Sequence, residues 1–325
     1  MSQWAHSKTE TVISRQRRQV LKGFRSRTNA LATGLIAVTV LVPTSVAAQQ
    51  QFQFVISARD AKGRVVTGLK RDEIVMLENG VANEIVKVEP FHMPVKLTIA
   101  VDNGISSHDA LSHYRTGLDG LVKALPPEIE VALLSMAPQP RFVVTSTLDR
   151  NRILRGVTSF APEEATPRFA DTLVEFSKRL QDELKKTNRF DSLPVLVLIS
   201  TTSPENFSYR ATEISAALQF LQARKTSIYV AMTTTSRANM GEQPMLAIPL
   251  VKATRGRYEA LSNTARLATL LPEFGAEIAA QHTQHDTQVL VTAVRQQGLT
   301  GPLQNPRIEL TRPNVKGEVS LDGLP

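Results

Sequence analysis

Apolar residues in the middle of the chain follow two alternating patterns: short, nearly continuous runs and segments with helical spacing. The runs at 97–101 and 194–200 are typical of strands that are covered on both faces of a sheet. The same two patterns predict further strands at 129–136, 141–145 and 227–232, and helices at 109–124, 169–184, 212–223 and 266–281. This alternation predicts an α/β fold over residues 94–282, a doubly wound, mainly parallel central sheet flanked by helices, of the Rossmann-like type.

The segments on either side of this domain have β-like patterns instead. Residues 49–93 are predicted to form a small N-terminal β unit, in which Asn79-Gly80 between two alternating segments is a strong hairpin signal. Residues 283–325 contain three short β-like pieces, which predict a short C-terminal β tail.

The first 48 residues have the order of a secretory signal peptide. A basic segment at 15–27 precedes an apolar run of 13 residues at 30–42, which is shorter than the ~18 residues expected of a membrane span. Small residues follow, so we expect cleavage after Ala48 or Ala47. The Arg17-Arg18 pair is compatible with twin-arginine export and with general secretion, and an uncleaved membrane anchor is the alternative. We therefore predict an exported protein, periplasmic or extracellular, whose association with a membrane is through its export signal alone.

Composition limits the classes of function. Hydrophobic residues make up 42% of the 325 residues and charged residues 21%, which is an ordinary globular balance. The chain has no cysteine, which excludes disulfides, thiolate metal sites and cysteine nucleophiles. The net charge of +8 is concentrated in residues 1–28, and the remaining 31 basic and 29 acidic residues leave only about +2. A nearly neutral body does not predict a nucleic-acid partner.

Polar residues follow the predicted strands where their carboxyl ends should meet. Asp102-Asn103-Gly104-Ile105-Ser106 comes directly after the strand at 97–101, and Thr201 follows the strand at 194–200. Thr166 stands in a third loop, beside Pro167. Open α/β sheets bind ligands at this edge, so these loops are the candidate site.

These segments resemble those of bacterial secreted proteins with a von Willebrand factor A (VWA) domain. The resemblance covers most of the chain after residue 48, including 60–80 ahead of the domain and 253–258 near its last helix. In that family a divalent cation, usually magnesium, is held by an Asp-x-Ser-x-Ser loop, a threonine and a later aspartate. The cation takes a carboxylate from a partner protein. The resemblance implies a VWA-like fold whose edge loops bind a protein.

The match to the family's metal site is partial. Asp102, Ser106 and Thr166 stand at ligand positions, whereas Gly104 replaces a serine and Thr201 replaces the later aspartate. Octahedral Mg²⁺ tolerates missing ligands poorly, so we predict a degenerate metal-ion-dependent adhesion site and binding without a cofactor. The alternative is a Mg²⁺-dependent adhesion module in which Asp102, Ser106 and Thr166 hold the ion.

We predict a non-enzymatic protein-binding module with no catalytic residues. Its surface would comprise loops 102–107, 163–168 and 201–206, extended by 233–243. The residues predicted to contact the partner are Asp102, Asn103, Gly104, Ser106, Ser107, Thr166 and Thr201. An envelope hydrolase using Asp102 or a histidine is the less favoured alternative, because the sequence shows no nucleophile–base pair and no Gly-x-Ser-x-Gly elbow. The sequence also lacks a phosphate-binding loop, which argues against a nucleotide enzyme.

Simpler structural roles compete with these assignments. Ser106 or Ser107 could cap the following helix, and Thr166 could cap the next one with Pro167 at its first position. The pairs His108/His113 and His282/His285 are expected to be surface histidines, because neither pair has a third ligand nearby in sequence.

Overall fold

A computed structural model describes residues 50–187, 192–224, 226–234, 242–297 and 301–320. The predicted signal peptide, residues 1–48, lies outside the described residues, as does most of the predicted loop at 233–243. The strands are β1 (Gln51–Asp60), β2 (Ile74–Glu78), β3 (Val81–Pro90), β4 (Val95–Val101), β5 (Glu130–Ser135), β6 (Arg141–Thr147), β7 (Leu193–Thr201), β8 (Ser227–Thr233), β9 (Tyr258–Leu261), β10 (Val289–Val294), β11 (Arg307–Leu310) and β12 (Val315–Ser320). The α-helices are α1 (Leu111–Ala124), α2 (Arg150–Thr158), α3 (Phe169–Thr187), α4 (Ala211–Ala223), α5 (Glu242–Ala253) and α6 (Leu267–Asp286).

The central sheet has the order β6-β5-β4-β7-β8-β9. Its neighbouring strands are parallel, apart from the antiparallel pair of β5 with β6 at one edge. The first strand of this sheet in the chain, β4, therefore lies in the middle, with the sheet extended in both directions from it. This topology confirms the predicted doubly wound α/β fold.

Helices cover both faces of this sheet, and the strand residues alternate between them. Leu97, Ile99 and Val197 pack with α1, α2 and α6, while Leu196 and Leu198 pack with α3, α4 and α5. Covering on both faces explains why β7 and β8 contain hardly any exposed position. In the described part of the chain, no helix combines the length and the apolar character needed to cross a bilayer.

Two helices were not predicted, and both contain residues that disfavour helices. In α2, Gly156 lies so close to β6 that a Cβ there would approach the Val144 side chain to 2.5 Å. In α5, Pro249 lies inside the helix. Tertiary packing overrides the weak local propensity at both sites.

The β-like segments at the two ends of the chain join in one second sheet of order β11-β2-β3-β10-β1-β12. Strand β10, from the predicted tail, pairs antiparallel with both β1 and β3 of the predicted N-terminal unit. The predicted hairpin is confirmed, since β2 pairs with β3 across Asn79 and Gly80, both of which have positive φ. The two terminal segments, which the sequence presents separately, are thus halves of a single structure.

A buried ion pair holds this second sheet together. The guanidinium of Arg295, which follows β10, donates to both carboxylate oxygens of Glu78 at the end of β2, with Nε at 2.8 Å from Oε2. Arg295 also donates to the carbonyl oxygens of Gly301 and Pro302, while Glu78 accepts the backbone N–H of Gln304. These bonds attach the segment leading to β11, and the guanidinium holds the pKa of the Glu78 carboxyl below its usual range.

Replacing Arg295 by methionine leaves the Glu78 carboxylate buried without its partner. We expect Arg295→Met to lower the free energy of unfolding by about 3–5 kcal/mol, measured by urea denaturation. Adding Glu78→Leu should recover part of this loss, because the unpaired charge is removed. The control is Arg71→Met, which breaks the exposed Arg71–Glu84 pair and should cost less than about 1 kcal/mol. Equal losses for Arg295→Met and Arg71→Met would contradict the structural role of the buried pair.

Candidate functional site

The carboxyl of Asp102 joins the ends of the two central strands. Asp102 follows β4 and is fully buried. Its Oδ1 accepts the backbone N–H of Gly104 at 2.8 Å, and its Oδ2 accepts both the backbone N–H and the hydroxyl of Thr201, at 3.1 and 2.7 Å. Burial raises the pKa of Asp102, and these neutral donors, with the Thr201 hydroxyl foremost, act in the opposite direction. The buried acid is therefore satisfied by hydrogen bonds, as a strand end in this position requires.

Ser106 extends this arrangement towards the surface. Its Oγ lies 2.9 Å from the Thr201 Oγ1. Because the Thr201 hydroxyl donates its proton to Asp102, Ser106 is the donor to Thr201. We call the Ser106–Thr201–Asp102 chain of hydrogen bonds the hydroxyl cluster.

The oxygen atoms of Asp102, Ser106 and Thr201 fit a hydrogen-bonded cluster better than an octahedral Mg²⁺ site. The Thr201 hydroxyl stands between Asp102 and Ser106, both of which match cation-ligand positions in the VWA family. Position 104 cannot take the family's serine without movement, because a Cβ there would lie 2.6 Å from the Ala165 carbonyl oxygen. Within the described ranges, no group of three or more His, Cys, Asp or Glu side chains could hold a metal ion. Mg²⁺ needs several well-placed oxygen ligands, and Asp102 is the one carboxylate of the cluster.

The loop at 163–168 reaches this region through its backbone. Ile105 donates its N–H to the Ala165 carbonyl at 2.9 Å, and Glu163 donates its N–H to the Asn103 carbonyl at 2.8 Å. Among the described residues, Thr166 makes no hydrogen bond to a member of the hydroxyl cluster. The structure thus joins Asp102, Ser106 and Thr201 by hydrogen bonds, and Thr166 is not one of their hydrogen-bond partners.

Most of the predicted contact residues lie beneath the surface. Asp102, Asn103, Gly104, Ser107 and Thr201 are buried, whereas Ser106 and Thr166 are partly exposed. Both ends of the Asn103 amide are used internally, since Nδ2 donates to the Ala161 carbonyl and Oδ1 accepts the Ala137 N–H. These residues form the framework that shapes the edge.

The predicted capping roles are wrong. The residues at the N-cap positions of the 3-10 turn Ile105–Ala110 and of α1 are Gly104 and Ala110, and neither makes a side-chain cap bond. The Ser107 hydroxyl instead donates back to the Gly104 carbonyl at 2.8 Å. At the start of α3, the Ala170 N–H donates to Glu205 from another loop, while Thr166 and Pro167 lie ahead of the helix.

Glu205 is a functional candidate that the sequence did not reveal. Its Oε1 accepts the Ala170 N–H at 2.7 Å, and nearby Asp171 accepts the Ser208 N–H at 3.0 Å. The two carboxyls therefore attach the loop at 201–208 to the start of α3. Burial, assisted by the charges of Asp171 and Glu242, raises the pKa of Glu205 to about 8. The surrounding Ser-Pro-Glu-Asn sequence carries no motif, because the helix that Glu205 contacts lies 35 residues away.

In the described part of the chain, neither histidine pair belongs to a group of three or more His, Cys, Asp or Glu side chains that could hold a metal ion. His282 is buried, with Nε2 at 3.3 Å from Glu128 and 3.4 Å from Asp286, so its predicted surface position is wrong. His285 is partly buried, and its Nδ1 lies 3.2 Å from the Gln288 amide oxygen.

Comparison with known proteins yields a fold and no close relative. No family model and no curated protein matches the sequence. Among solved structures, the chain is similar to a von Willebrand factor type A protein from Catenulispora acidiphila, at 13% identity and a TM-score of 0.46, over 72% of this chain and 51% of the other. It is also similar to BatB from Bacteroides thetaiotaomicron (15% identity, 57% and 99% covered, TM-score 0.41) and to the PilB minor pilin from Streptococcus sanguinis (12%, 60% and 62%, 0.41). The chain thus spans about half of the Catenulispora protein. These likenesses concern a VWA-like fold and carry no argument about function.

Glu205 should make the stability of the protein depend on pH. Its pKa is 4.5 as a free side chain and about 8 in the fold, so between these values the folded state holds a proton that the unfolded state has lost. Stability should therefore be greatest below about pH 4.5, as far as Glu205 contributes, and fall as the pH rises to about 8. Glu205→Gln keeps the acceptor for Ala170 without the charge. We expect the free energy of unfolding to fall by on the order of 1–3 kcal/mol over this pH range in the unaltered protein, and the Glu205→Gln variant to lack this fall. Urea denaturation at several pH values measures both.

The matched control is Glu164→Gln, which removes one carboxylate from an exposed position of the same edge. This variant should keep the pH profile of the unaltered protein. A profile unchanged by Glu205→Gln would show that the Glu205 carboxyl is solvated, contrary to the structure.

Proposed function

We propose that this chain is an exported, non-enzymatic protein-binding module that uses the carboxyl edge of its VWA-like domain without a metal ion. The observation that carries the proposal is a set of exposed apolar side chains around the hydroxyl cluster. Ile105 is 54% exposed, Phe207 38% and Met245 68%. We call these three residues the apolar rim.

The topology of the sheet supports a shared surface for the apolar rim. Ile105 follows β4, Phe207 follows β7, and Met245 lies in the first turn of α5, after β8. These three strands are parallel neighbours, so their carboxyl ends open at one edge. Exposed apolar side chains gathered at one edge are a mark of protein-interaction surfaces.

Exposed acidic side chains lie on the same or neighbouring segments as the apolar rim. Asp109, Glu164 and Glu242 are exposed on the segments that follow β4, α2 and β8. Interfaces commonly combine an apolar centre with a polar boundary. We infer that a partner presents apolar side chains to the rim and hydrogen-bond donors or basic groups to these acids.

The geometry of the hydroxyl cluster favours binding over catalysis. The neighbour of the Ser106 hydroxyl is the hydroxyl of Thr201, which is too weak a base to activate a nucleophile. Asp102 is enclosed beneath these hydroxyls, where it stabilises the loops. The hydrolase alternative therefore has no geometric support at this edge.

Substitutions in the apolar rim should weaken partner binding without affecting the fold. The test captures proteins from an envelope extract of the source cells with the tagged protein and compares recovery of each captured protein between variants. A partner of the apolar rim is a captured protein whose recovery falls about tenfold or more with Ile105→Ser and also with Phe207→Ser, as expected when an interface anchor is lost.

Leu148→Ser is the matched control, because Leu148 is also 54% exposed but follows β6, which runs antiparallel and ends at the opposite edge of the sheet. Capture should be equal in EDTA and in Mg²⁺. Recovery that requires Mg²⁺ and is abolished by Asp102→Ala would establish the metal-dependent alternative, and equal losses for all three apolar variants would argue against the carboxyl edge.

Export should remove the first 48 residues. When the full chain with a C-terminal tag is expressed in a bacterial host, we expect a mature N-terminus at Gln49, or at Ala48 if cleavage follows Ala47. Intact-mass measurement of the periplasmic fraction checks this, and replacing Arg17 and Arg18 by lysine separates twin-arginine export from general secretion. An uncleaved chain recovered with membranes would support the anchor alternative instead.

A further inference from the structure

Met245 differs from the other described methionines in its exposure to solvent. Its side chain is 68% exposed. The other methionines in the described part of the chain are at most 8% exposed, and they are Met76, Met93, Met136 and Met232. Met1 and Met240 lie outside the described residues. A dissolved oxidant can therefore reach the Met245 sulfur, whereas the core encloses the sulfur atoms of the four buried methionines.

The packing of α5 holds Met245 on the outer face of this helix. Ala247, Leu250 and Val251 are buried in the core beneath the central sheet. Glu242 and Met245, which are three residues apart and so share the opposite face of the helix, are exposed. Turning the helix to bury Met245 would bring the buried residues into water. The exposure of this thioether is therefore a property of the fold.

The composition of the chain makes methionine its principal target for peroxides. The sequence has no cysteine, and its one tryptophan, Trp4, lies in the predicted signal peptide. Hydrogen peroxide oxidises a thioether by two electrons: a sulfur–oxygen bond forms, the peroxide O–O bond breaks, and the second oxygen leaves as water. The resulting sulfoxide is polar, whereas the thioether is apolar.

We propose that Met245 is a site of reversible oxidation and that its sulfoxide weakens the binding of a partner at the apolar rim. The effect on binding rests on the proposed function, because Met245 is one of the three residues of the rim. A sulfoxide oxygen is a hydrogen-bond acceptor, and an apolar partner surface offers it no donor, so burying it costs free energy. Sulfoxide reductases restore the thioether, which makes the modification reversible.

The first experiment treats the purified protein with hydrogen peroxide and follows each methionine by tryptic digestion and mass spectrometry. In the folded protein, Met245 should be oxidised at least about tenfold faster than the four buried methionines, because susceptibility follows exposure. In concentrated guanidinium chloride, all five should react at similar rates. Fragment spectra separate Met245 from Met240, which shares the tryptic peptide 238–252. Similar rates for the five in the folded protein would overturn the proposed site.

The second experiment measures the effect of the sulfoxide on binding. The tagged protein is treated with peroxide, freed of it by catalase, and used to capture proteins from an untreated envelope extract. For a partner of the apolar rim, identified by its loss with Ile105→Ser and with Phe207→Ser, oxidation should lower recovery about tenfold, as expected when a buried methionine contact is lost. Incubating the oxidised protein with methionine sulfoxide reductases and dithiothreitol should restore recovery, since the sulfoxide oxygen is removed as water.

Met245→Leu is the matched variant, because leucine keeps an apolar side chain of similar size without the sulfur. Recovery after peroxide is divided by recovery before peroxide for each protein, so any change in the basal binding of the variant does not affect the comparison. Peroxide should lower this ratio in the unaltered protein and leave it unchanged in Met245→Leu.

Two results would overturn the effect on binding. One is an equal fall of the ratio in Met245→Leu, since oxidation would then act through another residue. The other is an unchanged ratio in the unaltered protein when mass spectrometry shows that Met245 is oxidised. If no captured protein depends on Ile105 and Phe207, the proposed function fails and the effect on binding fails with it. The oxidation site is then still decided by the first experiment.

Discussion

The buried carboxyl of Asp102 is the constraint on which the carboxyl edge depends. An acid at the end of a fully covered strand must be hydrogen-bonded, and Asp102 meets this need with the backbone of Gly104 and with both donors of Thr201. These bonds fix the loop after β4 to the end of β7. The backbone bonds from Ile105 and Glu163 then attach the loop at 163–168 to the same place. The exposed residues of the edge are therefore presented by a rigid framework of buried polar groups.

The same framework contains the two positions at which the chain differs from the metal-site pattern of the VWA family. A threonine hydroxyl at position 201 donates directly to Asp102, whereas the family pattern has a second carboxylate at this position. The absence of a side chain at Gly104 lets the loop at 163–168 approach closely, and this closeness in turn excludes a serine. The two departures from the family pattern are consistent with each other. Together they give a compact set of hydrogen bonds at the position where the family pattern places a cation.

The second sheet sets a different constraint, because it joins the two ends of the described chain. After α6 the chain forms β10, which pairs with β1 on one side and β3 on the other. The buried ion pair of Arg295 with Glu78 then attaches the segment that leads to β11. Removing one partner of that pair would leave the other charge buried and unpaired, which would lower the free energy of unfolding.

The sequence by itself determined the fold class, the strands of both sheets apart from β9, and the edge of the central sheet at which Asp102, Ser106 and Thr201 lie. Continuous apolar runs, helical spacing and the Asn79-Gly80 turn are local signals whose physical meaning does not depend on distant residues. Short-range patterns could not predict α2 and α5, which contain Gly156 and Pro249 and owe their stability to packing. Only the tertiary structure decided which edge residues are exposed, that Thr201 and Ser106 form a chain to Asp102, and that Glu205 contacts α3. Each of these features depends on contacts between residues that are far apart in sequence. A single sequence has no local pattern that indicates such contacts.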